Sequence, residues 1–281
     1  MKHIKLRLWV KIVLAIIIIL FLTYLYARYI NTTNFKVKEY SIIDSKLPEN
    51  FYGLKIVQIS DIHYKTTNNI YDIDDIVKEI NLLKPDIVIF TGDLFDKSVK
   101  YTDKDYIELS TSLKNIEANI EKFAIKGDND NSNFETVIND SGFKNLSDTY
   151  EYIYKDGIDP ILFIGISSNL KNNHIKETIT NIYKETKDYK YSILLLHEPD
   201  YIDKIDKSKF NLIFAGHSLN GQIRLPFIKG IIKFNGSKKY INEYYDLNNT
   251  KLYISNGLGT NKYKYRFLNK PSINLYRLRN K

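Results

Sequence analysis

The stretch KIVQISDIH, residues 55–63, joins a short apolar run to an acid and an imidazole two residues apart. A run this short, rich in Ile and Val and closed by polar residues, reads as a buried β-strand with a functional turn behind it. The arrangement recurs down the chain. IVIF (87–90) precedes Thr91-Gly92-Asp93, and FAI (123–125) precedes Lys126-Gly127-Asp128-Asn129-Asp130. SILLL (192–196) precedes His197, and LIFA (212–215) precedes Gly216-His217. Ile161–Ile166, Lys251–Ile254 and Ile273–Tyr276 complete the strand runs, and 72–83, 104–118, 133–140, 173–185 and 200–205 read as helices, several opened by Asp or Asn. The alternation predicts stacked α/β layers, a class that places ligands at the carboxyl ends of its strands.

Any one Asp after a strand is more often a turn residue than a ligand. Five strand ends offering Asp and His in turn are harder to explain as turns. Three of the five histidines, His63, His197 and His217, stand just behind apolar runs, whereas His3 and His174 lie in polar surroundings. Imidazole with carboxylate is the donor set that zinc, manganese or iron selects. In an extended segment Asp61 and His63 would point to the same side and grip one ion, and Asp93 could place one oxygen on each of two ions. Two such ions would hold a hydroxide and clamp a phosphoryl group.

The 281 residues, 43% hydrophobic and without cysteine, suffice for a sizeable core and exclude disulfides and a cysteine nucleophile. The net charge of +8 is concentrated at the ends: residues 1–38 and 261–281 each carry seven Lys or Arg and no acid, and the remaining 222 residues are net −6. A basic nucleic-acid groove through the body is therefore not expected. Ile12 to Ala27 is uncharged, and extended back to Leu8 it spans ~30 Å, about one bilayer core. Trp9 would lie at one interface and Tyr24, Tyr26 and Tyr29 at the other. A cleaved signal peptide and a buried core helix are the rival readings; no small-x-small site after Leu25 favours cleavage. Lys2, Lys5, Arg7 and Lys11 before the span, against Arg28 after it, predict a cytoplasmic N-terminus and an extracytoplasmic domain. The expected organisation is an N-terminus and anchor over 1–34 and one domain over 35–281.

The ordered motifs SDIH (60–63), TGDLFD (91–96), KGDND (126–130), LLHEPD (195–200), AGHSLNGQIRLP (215–226) and SNGLGT (255–260) resemble those of calcineurin-like metallophosphoesterases, most closely a membrane-anchored bacterial branch. The resemblance covers about residues 36–280. It implies a four-layer αββα sandwich with two divalent ions: the first held by Asp61, His63 and bridging Asp93, the second by Asp93, Asp128, His197 and His217. It also implies hydrolysis of a phosphodiester or monoester by metal-bound hydroxide, as a phosphoesterase at the cell membrane.

Three positions depart from the family pattern. Asp128 replaces the usual ligand asparagine, and Asn129 replaces the histidine that assists the phosphoryl group. Leu219 replaces a histidine of the first ion, which leaves that site short of a ligand and predicts weak occupancy there. Asp128 and Asn129 remain the catalytic candidates, Asn129 either as a donor to the phosphoryl oxygen or as a turn amide. Asp96 reads as a partner of a ligand or as a helix cap. Arg224 and Arg266 read as phosphate grips or as ordinary arginines, and Tyr240, Tyr244 and Tyr245 as packing. The basic C-terminal strand could face anionic lipid or plain solvent. A descendant that binds a phosphorylated envelope ligand or a metal without turnover is the alternative to an enzyme.

Overall fold

The computed structural model describes residues 7–68, 70–168, 172–228 and 230–280. Lys2, His3 and Lys5 lie outside the described residues. Helix α1 (Leu8–Leu25) is a continuous apolar segment with no buried side chain, and it runs on through one π-helical turn, Tyr26–Ile30. Together these 23 residues form one helix long and apolar enough to cross a membrane.

Two six-stranded sheets follow. The first has the order β1 (Lys36–Ile43), β12 (Ser272–Arg279), β2 (Lys55–Ile59), β3 (Ile87–Phe90), β4 (Glu121–Ala124), β5 (Lys144–Asn145). The second has the order β10 (Tyr244–Asp246), β11 (Lys251–Ile254), β9 (Leu212–Ala215), β8 (Tyr191–Leu196), β7 (Ile161–Ile166), β6 (Thr149–Ile153). Strands β2 to β5 are mutually parallel, as are β7, β8, β9 and β11, so their carboxyl ends line up within each sheet.

Strand alternation sorts the side chains into layers. Ile56, Ile87, Ile89 and Phe123 from one sheet meet Phe163, Ile193, Leu195 and Phe214 from the other in a dry middle layer. Val57, Ile59, Val88 and Phe90 point the opposite way, onto α2 (Ile70–Leu83), α3 (Asp103–Lys114) and α4 (Phe134–Asp140). On the far side Leu162, Ile164, Leu194 and Leu196 receive Ile175, Ile179 and Ile182 of α5 (Asn172–Glu185), a stripe at helical spacing. The architecture is the expected αββα sandwich. Helix α3 starts at a capping box, with the Asp105 N–H on Thr102 Oγ1 and the Thr102 N–H on Asp105 Oδ2.

Strands β1, β5, β6 and β10 go beyond the sequence reading. Each lies at a sheet edge and is half in water, so charged and aromatic residues interrupt the apolar run that marks a central strand. The segment expected as a helix over 200–205 is a 3-10 helix, Pro199–Lys204.

One polar side chain crosses the middle layer. Gln58, fully buried on β2, donates through Nε2 to the Ala215 carbonyl on β9 and to Thr91 Oγ1, both at 2.9 Å, and accepts from the Tyr276 hydroxyl at 2.8 Å. It ties the two sheets together beneath the strand ends. Gln58→Ala leaves these buried groups unpaired and should lower stability by about 2–3 kcal/mol. Urea unfolding of the full chain in detergent is expected to show an earlier midpoint with an unchanged slope.

Candidate metal centre

Asp61, Asp93, His197 and His217 sit immediately behind β2, β3, β8 and β9, and Asp128 follows β4, so the two sheets deliver them to one end of the sandwich. Asp61 and His63 are not extended. Their φ angles are +52° and +46°, and Asp93 and His217 have +61° and +65°. Left-handed backbone at four such residues bends each loop back over its strand end, a strain that a non-glycine residue bears only where the surroundings enforce it. At Asp93 the enforcing group is Asp130, whose carboxylate accepts the backbone N–H groups of Gly127 (2.8 Å), Asp93 (3.0 Å), Leu94 (2.8 Å) and Phe95 (3.0 Å). At Gly127 a Cβ would overlap the Asp93 side chain, so only glycine allows this approach.

The donors form two groups that share Asp93. Asp93, Asp128, His197 and His217 each offer a ligand atom within 4.8 Å of the others, and so do Asp61, His63 and Asp93. Each imidazole has its outer nitrogen engaged. His197 Nδ1 lies 2.6 Å from the Thr91 carbonyl, His217 Nε2 lies 2.6 Å from the Asn235 carbonyl, and His63 Nδ1 lies 3.2 Å from Asp96 Oδ2. The inner nitrogens face carboxylates: His197 Nε2 is 3.3 Å from both Asp93 and Asp128, and His217 Nδ1 is 3.0 Å from Asp128. An outer acceptor that fixes the tautomer and leaves the inner nitrogen free is how metal-ligating histidines are oriented.

Charge points the same way. Burial alone would drive the imidazoles towards neutrality, yet Asp93 and Asp128 raise His197 well above its ordinary value. Burial likewise pushes Asp61 up, with Asp93 adding to it. The carboxylates thus demand positive charge in a water-poor space, a demand divalent cations would meet. The inner nitrogen of buried His63, Nε2, has no hydrogen-bond partner among the described residues, as befits a nitrogen placed for a metal. The donor set therefore fits two divalent ions. Burial and the charge of Asp93 push Asp130 up to about 6, against its backbone N–H bonds from Phe95 and Gly127.

Asn129 lies at the mouth, with its backbone N–H on Asp93 Oδ1 and its Nδ2 on Asp93 Oδ2, both at 2.8 Å. Asp96 orients His63 and caps no helix; its other oxygen accepts from the Ser98 N–H at 2.8 Å. Leu219 is buried against Gly257 and beside Asp61 Cβ, and offers no donor atom to the first group. The phosphate-grip reading of Arg266 is corrected. Arg266 is fully buried, and its Nε and Nη2 donate to the carbonyls of Asn256, Gly257 and Gly259. Arg224 donates to Asn220 and Asn242, in a cleft of about 480 Å³ that also takes in Lys36, Lys38 and Lys270. None of the six site histidines and aspartates lines that cleft. Tyr240 and Tyr245 pack edge to face, ring centroids 5.0 Å apart. Asp130 and the carbonyls of Thr91 and Asn235 have no role in the sequence reading; Asp130 and Thr91 stand inside motifs there and Asn235 in none.

The profile of the calcineurin-like phosphoesterases matches residues 54–221. Metallophosphoesterase YkuE of Bacillus subtilis (strain 168), described as uncharacterized, is 32% identical over 266 residues, which is 91% of this chain and 90% of YkuE. An uncharacterized metallophosphoesterase of Campylobacter jejuni, Cj0846, is 29% identical over 80% of this chain, which spans 59% of that protein. UDP-2,3-diacylglucosamine pyrophosphatase LpxG of Chlamydia muridarum is 23% identical, covering 91% of this chain and 93% of LpxG. With the profile covering more than half of the sequence and the YkuE alignment nine-tenths of it, this chain belongs to the calcineurin-like phosphoesterase family.

Proposed function

We propose that the chain is a membrane-anchored, metal-dependent phosphoesterase, with residues 1–34 as N-terminus and anchor and 35–281 as an extracytoplasmic catalytic domain. The observation that carries the reading is the pair of acid–imidazole groups sharing Asp93 at the convergent strand ends. Asp61, His63 and Asp93 would hold a first manganese, zinc or iron ion, and Asp93, Asp128, His197 and His217 a second. Such ions, when bound, supply a water activated for attack and positive charge against the phosphoryl oxygens. The rest of the work falls to the chain. Asp93 fixes the spacing of the two positions, Asp96 and the Thr91 and Asn235 carbonyls hold the imidazoles in register, and Asp130 keeps the loops closed around them. Asn129, at the mouth, donates its amide to a phosphoryl oxygen but has no proton to lend a leaving group.

Phosphodiesters and monoesters are the substrate class this arrangement suits, and the name of LpxG adds a pyrophosphate bond to the candidates. The N-terminal basic flank supports the outward orientation. Leu219 and Asn129 favour a second reading, a homologue that binds a phosphorylated envelope ligand without turning it over. The first position also lies near a fixed cation. The Arg266 guanidinium is pushed down to about 9 by burial, with Asp61 acting against that shift. Together with the missing imidazole at Leu219, this makes the first position the weaker one.

Asp93→Asn is expected to deplete both positions and abolish hydrolysis of an aryl phosphodiester. Asp96→Asn should cost roughly 10–100-fold in metal affinity, as loss of an orienting partner does. Elemental analysis alongside turnover checks this, and equal effects at the two positions would displace Asp93 from its bridging role. Leu219→His should raise first-site affinity in a metal titration that follows stoichiometry and turnover together; two equally tight ions in the unaltered protein would mean that another side chain serves there. Protease added to intact cells should remove the domain, whereas complete protection until the cells are permeabilised would reverse the orientation.

A further inference from the structure

Residues 222–242 carry five Lys or Arg and no acid. The first half of this segment turns back on itself. Leu225 and Ile228 form an antiparallel bridge, the Ile228 N–H donates to the Leu225 carbonyl at 3.1 Å, and the Ile231 N–H donates to the Ile223 carbonyl at 2.9 Å. Its base is pinched where Gly221 and Gly230 touch backbone to backbone, so that a Cβ on either would overlap the other. The tip is Pro226-Phe227. Phe227 has φ +65° and a side chain in open solvent, at 109% relative exposure. A turn position with positive φ suits glycine or asparagine, and a bulky aromatic ring there is a costly choice. No packing among the described residues repays it. Leu225, Ile228 and Ile231 are exposed beside it.

The tip adjoins the end of α1. The Arg224 N–H donates to the Phe267 carbonyl at 2.9 Å, the Phe267 ring meets Tyr26 edge to face at 6.2 Å, and the Arg266 N–H donates to the Ala27 carbonyl at 2.9 Å. Leu268, on the connecting segment, is half exposed, and it shares a cleft with Lys36, Lys38, Arg224 and Lys270. An apolar tip, a cluster of four cations and the end of a bilayer-length helix are thus neighbours. Apolar and aromatic side chains flanked by Lys and Arg are what a protein surface presents to an anionic lipid interface.

We infer that the hairpin tip, with Leu268, docks into the interface of the bilayer that α1 spans, so that the domain is held against the membrane at a second point. The inference rests on the anchor reading above, and the test separates the two. The full chain is reconstituted into vesicles of phosphatidylcholine and phosphatidylglycerol containing brominated lipid. Trp9, the only tryptophan, reports the anchor in the unaltered protein. The double variant Trp9→Phe, Phe227→Trp reports the tip, and Ile228→Trp in the Trp9→Phe background repeats the measurement beside the turn. Both tip probes are expected to show blue-shifted emission and a several-fold loss of intensity, greatest for bromine placed near the headgroup. Tip probes open to iodide and untouched by bromolipid, with Trp9 quenched, would overturn the docking and leave the anchor standing. Tip probes shielded from both quenchers would overturn it in favour of a second copy or a protein partner. Trp9 untouched by bromolipid would overturn the anchor and the docking together.

Discussion

Asp130 accepts four backbone N–H groups, three from the loop behind β3 and one from the loop behind β4, and on that clamp the geometry of the centre depends. Each bond is charge-assisted and worth about 1.5–3 kcal/mol. Together they hold Asp93 in a left-handed conformation it would not adopt alone, although burial and the charge of Asp93 still leave the Asp130 carboxyl raised to about 6. Asp93 belongs to both donor groups, so the position of its two oxygens sets the relation between them. Farther back, Gln58 joins the sheets under the same loops, and the middle layer supplies the stiffness on which both rest.

The sheets were legible in the sequence because buried parallel strands read as unbroken apolar runs, and the donors because each stands one to four residues behind such a run. What lay hidden has physical causes. Strands β1, β5, β6 and β10 are edges, where charged and aromatic residues break the apolar signature. Apolar periodicity says nothing about φ beyond a strand end, so Asp61 and His63 were expected to be extended where both are left-handed. The family departures were visible as letters, but the fate of Arg266 was not. Its guanidinium meets carbonyl groups, which one-letter spacing cannot display, and a residue expected on the surface proves to be a fully buried brace. The Thr91 and Asn235 carbonyls escape any reading of side-chain types for the same reason.

The two halves of the centre are built unequally. The group around Asp128 has two imidazoles and two carboxylates, with outer hydrogen bonds to backbone on both rings. The group around Asp61 has one imidazole, and its second carboxylate is borrowed from the first group. Leu219 seals the side where another donor would enter, and its contact with Gly257 joins that seal to the Arg266 brace. The departure from the family pattern is therefore a packed piece of core rather than a hole.

His217 takes its orientation from the Asn235 carbonyl, on the chain that returns from the Phe227 hairpin past the Gly221–Gly230 contact at its base. An imidazole of the centre is thus braced by the strip of chain that would rest on lipid. Were the tip to dock as inferred, one short run of chain would join the lipid surface to an imidazole of the centre, and the bilayer would be mechanically in series with the donor geometry.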